Sequence, residues 1–513
     1  MRGAGGGLVT MAVAVAVAVA VAGCSATDDV RRRADPGRTS SGTAAGATAT
    51  PLTQYYDQRL RWRDCHNGFE CTRLEVPLDY AKPAGETIRI AVVRLRADSD
   101  DPRGSLIINP GGPGVSGVDY ALAAESVVSE DVRERYDIVG FDPRGVQRSA
   151  PVACVSDDQL DVLLALDGSP DDAAEEQSIA QEWRSLGAGC AARRPLLTAH
   201  VGTRDAARDL DVLRGALGDR RLTYLGKSYG TYLGTTYAEI FPRRVGRVVL
   251  DGQLDPAASG PEIAAGQAAG FQRALRSFLA TCLRRSSCPF AGDVAAALGQ
   301  VSTLLEGVDQ RPLRGEPGRP VTQALAVLGV AAALYDEGSW PLLIRALDQA
   351  QRGDGATLLA LADYYADRAS GGRYTTNAIE ALYAVNCLDR PESTDLADYR
   401  KTAAALADTS PVFGPFIAWG SLPCASWPVP PQGEPHPVTA AGARPILVVG
   451  TTRDPATPYS WAVSVAKQLE SGRLLTYVGD GHTAYRRGSR CIDRFVDRYY
   501  LDGTLPPTGT RCR

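Results

Sequence analysis

The chain has 513 residues, 44% of them hydrophobic and 22% charged, with a net charge of −4 at pH 7. That is the composition of an ordinary globular protein, long enough for several units or for one core carrying a large insertion. There is no global basic field, basic stripe or nucleic-acid motif, so nucleic acid is excluded as a partner.

The first residues read as a targeting segment. Arg2 gives a thin positive start, and residues 8–22 are a small apolar run, too short for a comfortable membrane span. The run ends in Val21-Ala22-Gly23-Cys24, which resembles a lipobox. Residues 1–23 are then a lipoprotein signal peptide, and Cys24 carries the acyl chains that hold the protein at the outer face of the cell membrane. A plain secretory signal is the alternative. Residues 24–50 have almost no large apolar side chain and form a disordered tether, because they bury too little surface to offset ordering entropy.

The chain has eleven cysteines, and setting Cys24 aside leaves ten. An even count fits disulfides in an oxidising compartment. Connectivity does not follow from sequence. Neighbour pairing would join Cys65 with Cys71, Cys154 with Cys190, Cys282 with Cys288, Cys387 with Cys424 and Cys491 with Cys512. A zinc site is disfavoured by the absence of a CxxC pair and by only four histidines.

From residue 51 to 255 the pattern alternates. Apolar runs at 88–95, 105–109, 136–141, 222–226 and 245–250 read as strands, and those at 105–109, 136–141 and 245–250 are stopped by glycine, proline or aspartate. Helical spacing appears at 203–217 and after Ser228 as far as Phe241. Strands alternating with helices indicate a mostly parallel sheet. From 256 to 440 the chain reads as mainly helical, for example at 262–283, 292–305, 341–365 and 374–386, with no clear buried strand. Strand character returns at 445–450 and 474–478, and a helix at about 491–501 ends the 441–513 segment.

Gly226-Lys227-Ser228-Tyr229-Gly230 matches the nucleophile elbow, with a strand before it and a helix after it. Ser228 is the expected nucleophile. A serine hydroxyl needs a base, and His482, in the loop after the last strand, is the expected one. Asp454, after the preceding strand, is the expected acid that orients the imidazole. Asp480 competes but is too local to hold the ring from below. Two oxyanion donors are expected, the N–H of Tyr229 and that of Gly112 in the glycine turn 109–114. No metal or cofactor is required.

Six segments together are similar to the tripeptidyl and prolyl aminopeptidase family of α/β-hydrolases, notably its secreted actinobacterial branch. They are NPGGPGVSG at 109–117, FDPRGVQRS at 141–149, GKSYGTYLG at 226–234, LDGQLDP at 250–256, TTRDPATPY at 451–459 and GDGHTAY at 479–485. The resemblance implies the α/β-hydrolase fold, with a large helical cap inserted before the acid-bearing strand and a TAP-like C-terminal segment. It also implies exopeptidase action on peptide or protein substrates with a free N-terminus. Asn109-Pro110 stands where prolyl aminopeptidases usually have histidine, which leans toward the tripeptidyl side. Gln147 stands where glycine is common. A substrate ammonium needs a buried acid on the cap, and the candidates are Asp336, Glu337, Glu380 and Asp389, the last beside Cys387. The rival readings are a carboxylesterase or lipase on the same triad and a non-catalytic peptide-binding surface lipoprotein.

Overall fold

A computed structural model describes residues 52–513. The leader, Cys24 and nearly all of the tether lie outside the described residues. The strands are β1 (Arg63–His66), β2 (Phe69–Pro77), β3 (Thr87–Leu95), β4 (Ser105–Asn109), β5 (Asp137–Phe141), β6 (Leu222–Lys227), β7 (Val245–Asp251), β8 (Leu313–Glu316), β9 (Arg319–Val321), β10 (Arg368–Ala369), β11 (Arg373–Tyr374), β12 (Ile446–Arg453), β13 (Gly472–Asp480) and β14 (Arg511–Cys512). Ten of them form one sheet, in the order β1-β2-β3-β5-β4-β6-β7-β12-β13-β14. From β5 to β14 every neighbour is parallel, while β1, β2 and β3 add an antiparallel edge. This is the α/β-hydrolase sheet.

The near-continuous apolar runs arise because both sheet faces are covered. Successive side chains point to opposite faces. In β4, Ile107 enters the core on one face while Leu106 and Ile108 enter the core on the other. In β12, Ile446 and Val448 go one way and Leu447 and Val449 the other.

Between β7 and β12 lies the helical insertion, with an apolar core of its own that includes Phe278, Val301, Val330 and Leu347. Its helices start at side-chain caps. Ser259 and Glu262 form a capping box, and Asp293 and Thr322 each accept from a first-turn N–H. The single helical segment expected at 341–365 is broken. It forms two helices, Trp340–Gln351 and Ala356–Ala366, because Gly353 takes a positive φ of 80°. The insertion also holds two short hairpins, β8–β9 and β10–β11, which turn at Gly318 and at Gly371-Gly372. Helices Asp157–Ala165 and Ala173–Arg193, from the loop between β5 and β6, pack against the insertion. Trp183 meets Tyr383 at 4.7 Å, and Arg368 pairs with Asp161 at 2.7 Å. Five disulfides join the neighbours Cys65–Cys71, Cys154–Cys190, Cys282–Cys288, Cys387–Cys424 and Cys491–Cys512. Among the described residues no helix is long and apolar enough to cross a membrane.

Candidate active site

Strand β6 ends at Lys227 and a helix begins at Tyr229, so Ser228 occupies the turn between them, with φ 53° and ψ −127°. A serine in that backbone region is strained by about 1–3 kcal/mol. The flanking glycines explain how the turn closes. A Cβ on Gly226 would lie 2.2 Å from the Gly230 carbonyl oxygen, and one on Gly230 would lie 2.8 Å from the Asn109 carbonyl oxygen. The glycine turn after β4 presses on the same spot. A Cβ on Gly111 would lie 2.8 Å from Ser228 Cβ and 2.9 Å from the Tyr229 nitrogen. Gly112 and Tyr229 line the cavity beside Ser228. Tyr229 is the first residue of its helix, so its N–H has no acceptor within that helix.

His482 Nδ1 lies 2.9 and 3.0 Å from the two Asp454 oxygens. Asp454 is fully buried and also accepts from the backbone N–H groups of Ala456, Thr457 and Thr483. Thr457 Oγ1 is 3.3 Å from the same ring nitrogen. The competitor Asp480 is taken by Arg453 in a two-bond ion pair at 2.7 and 2.5 Å. Serine and histidine are linked through one short stretch. Ser228 N–H donates to the Asp251 carbonyl at 3.0 Å, and a Cβ on the next residue, Gly252, would lie 3.3 Å from His482 Cε1.

Several contributors escaped the sequence reading. The Asp251 carboxylate, fully buried, accepts from Ala484 N–H at 2.9 Å and from Tyr485 N–H at 2.9 Å, which pins the loop just after His482. Burial raises the Asp251 carboxyl, while the Lys227 ammonium at 3.9 Å and these two N–H groups oppose the rise. Burial likewise pulls Lys227 down to about 8, with Asp251 opposing. Lys227 Nζ also donates to the Tyr485 carbonyl at 2.7 Å. From the cap, the Tyr335 carbonyl accepts from His482 N–H at 2.9 Å, and the Tyr335 ring packs edge-on to the imidazole at 5.2 Å. The LDGQLDP segment was the available signal for Asp251. Nothing local marks Tyr335.

Ser228 lines a partly open cavity of about 440 Å³, walled largely by cap residues. Its walls are mostly apolar and aromatic, among them Phe271, Leu328, Tyr335, Tyr383 and Phe416. None of the four proposed ammonium acids lines it. The Asp389 carboxylate instead accepts from Thr203 N–H at 2.7 Å and Thr203 Oγ1 at 2.6 Å, and burial pushes it up to about 6. Thr203 Oγ1 in turn meets the Tyr229 hydroxyl at 2.5 Å, so Asp389 braces the elbow helix from behind. Glu380 accepts from Cys154 and Val155 N–H groups. Asp336 accepts from Gly338 N–H and pairs with Arg487 at 3.4 Å. Glu337 lies beside Asp480 and Arg453. Among the described residues the one acid lining the cavity is Glu392. Burial raises its carboxyl, and the Ser421 hydroxyl donates to it at 3.2 Å.

An elbow serine, a histidine held by a buried carboxylate, and backbone donors of residues lining the cavity can perform acyl transfer through a tetrahedral intermediate. The family profile described as "TAP-like protein" matches residues 410–512, the stretch that carries Asp454 and His482. "Serine protease Hip1" of Mycobacterium tuberculosis H37Rv is 40% identical over 486 residues, covering 89% of this chain and 91% of the relative. "Carboxylesterase B" of the same organism is 38% identical, covering 91% and 92%. "Tripeptidyl aminopeptidase" of Streptomyces coelicolor is 32% identical, covering 88% and 86%. With relatives this similar over nearly their whole lengths, the chain belongs to the TAP-like family of α/β-hydrolases and is a serine hydrolase.

Proposed function

We propose that the chain is an exported serine exopeptidase that releases short peptides, tripeptides foremost, from free N-termini. Ser228 attacks the scissile carbonyl while His482 takes its proton, and Asp454 stabilises the imidazolium. The N–H groups of Gly112 and Tyr229 hold the oxyanion. His482 returns the proton to the leaving amine, and water then cleaves the acyl-enzyme by the same route. Glu392 takes the place of the four acids expected on the cap and binds the substrate ammonium by a charge-assisted hydrogen bond.

The observation that carries the reading is the cavity at Ser228, where Glu392, the single acid among the described lining residues, stands among mostly apolar walls. An acid in a largely apolar cavity shared with the nucleophile suits the ammonium of a free N-terminus. The relatives named serine protease and tripeptidyl aminopeptidase support peptide cleavage, and the second supports the tripeptide unit. Five disulfides support folding in an oxidising compartment. We place the protein on the outer face of the membrane through acylated Cys24, or secreted.

A second reading, carboxylesterase, is favoured by the apolar walls and by the relative named carboxylesterase B. Peptide amides with a free or an acetylated N-terminus, set against short-chain esters, separate the two. The exopeptidase reading expects cleavage of free-N-terminus peptides alone among the amides. Turnover of esters and acetylated peptides, with free peptides untouched, refutes it.

A further inference from the structure

Among the described residues the same cavity holds one cation, Arg390, which forms no hydrogen-bonded ion pair. The cap helix Ala378–Asp389 ends one residue earlier, and Arg390 turns to an extended conformation at φ −144°. The side chain is 8% exposed. Its Nε and Nη2 are buried and find no hydrogen-bond partner among the described residues. The two acids nearest in sequence, Asp389 and Glu392, feel its charge but do not hydrogen-bond to it. Both oxygens of Asp389 are occupied by Thr203, and Glu392 accepts from Ser421.

The guanidinium is nevertheless held in place. It lies over the Tyr232 ring at 4.5 Å, a cation–π contact that restrains its position. Tyr232 stands one helical turn after Ser228 and lines the same cavity. A buried arginine with two unmet donors, lining the same cavity as the nucleophile, matches a planar two-oxygen acceptor.

We propose that Arg390 is a carboxylate-binding subsite, so that the enzyme selects substrates carrying a carboxylate within reach of the cavity. This deepens the exopeptidase reading and rests on the cavity being where substrate binds. Glu392 takes the ammonium and Arg390 an acidic group of the same peptide, so the cavity reads both charges. The carboxylate has two possible sources, an acidic side chain in the released peptide or the C-terminus of a very short substrate.

The test compares kcat/KM for tripeptide 4-nitroanilides with free N-termini, carrying Glu or its neutral isostere Gln at each position in turn. A tetrapeptide acid against its amide reads the C-terminal source. 4-Nitrophenyl hydrogen glutarate against 4-nitrophenyl pentanoate reads Arg390 even if peptides prove not to be substrates. The acid form is favoured by about tenfold or more in at least one pair. Arg390→Met brings that ratio near 1, and Arg390→Lys, which keeps charge but loses the fork, falls between. Labelling of Ser228 by a fluorophosphonate confirms that each variant is folded. Should Arg390→Met fail to fold, the wild-type ratios and Arg390→Lys decide. Ratios near 1 in every pair, or an acid preference that survives Arg390→Met or is undiminished in Arg390→Lys, overturn the proposal. Loss of peptide cleavage with a clear ester ratio overturns the exopeptidase reading and leaves Arg390 standing.

Discussion

Asp251→Ala tests whether the serine and histidine loops are held together from beneath. Its carboxylate is fully buried and receives two backbone N–H groups, Ala484 at 2.9 Å and Tyr485 at 2.9 Å. Truncation leaves both donors without an acceptor, at about 1–3 kcal/mol each. It also strips the Lys227 ammonium of its anion, a loss softened by the Tyr485 carbonyl that Lys227 retains. The sum is about 3–6 kcal/mol of unfolding free energy. Asp251→Asn keeps the shape and one acceptor oxygen, and costs about 2–3 kcal/mol. Because Ala484 is two residues from His482, the ring shifts in both variants, and kcat falls by roughly 100-fold while KM changes little. Urea unfolding monitored by tryptophan fluorescence, with steady-state kinetics on one peptide substrate, measures both effects. An Asp251→Ala enzyme within about 1 kcal/mol of wild type, with kcat within about threefold, refutes the reasoning.

Further outcomes follow from the same contacts. Asp454→Asn leaves the fold in place but favours the wrong imidazole tautomer, so kcat drops by about 10⁴; a loss under tenfold in a kinetic assay contradicts the assigned acid. Lys227 titrates near 8 when folded, below its ordinary 10.5. Between these values the unfolded chain binds the extra proton, so stability rises with pH by up to about 3 kcal/mol. Subtracting the stability–pH curve of Lys227→Met isolates this rise from tyrosine ionisation, and a flat or falling difference counts against it. The Cys387–Cys424 bridge closes a 37-residue separation that includes Arg390 and Glu392. Its removal as a Cys387→Ser/Cys424→Ser pair lowers stability by about 3–4 kcal/mol in thermal unfolding, and an unchanged melting temperature contradicts that.

The core of the site was legible because its chemistry imposes local rules. The elbow needs glycines at 226 and 230, and the close approaches at both positions show why. The chain order of serine, acid and base then pointed to Asp454 and His482, which the fold brings to 2.9 Å. The cap followed no such rule. Asp389 and Glu392 are three residues apart, and both are acids on the same stretch. Only the turn out of the helix at Arg390 sends Asp389 back to Thr203 and Glu392 into the cavity. Helical periodicity carries no information about that turn. The helices at 157–193 were missed as cap elements for a related reason. Their partners, such as Tyr383 and Arg400, lie some 200 residues later.

The claim on which the rest depends is that Ser228 attacks the carbonyl of a short N-terminal peptide unit. The direct measurement is turnover of a tripeptide 4-nitroanilide with a free N-terminus by wild type and by Ser228→Ala, with folding checked by circular dichroism. Release of the intact tripeptide by wild type, and none by a folded Ser228→Ala protein, is the predicted result. Equal turnover by the two proteins contradicts it.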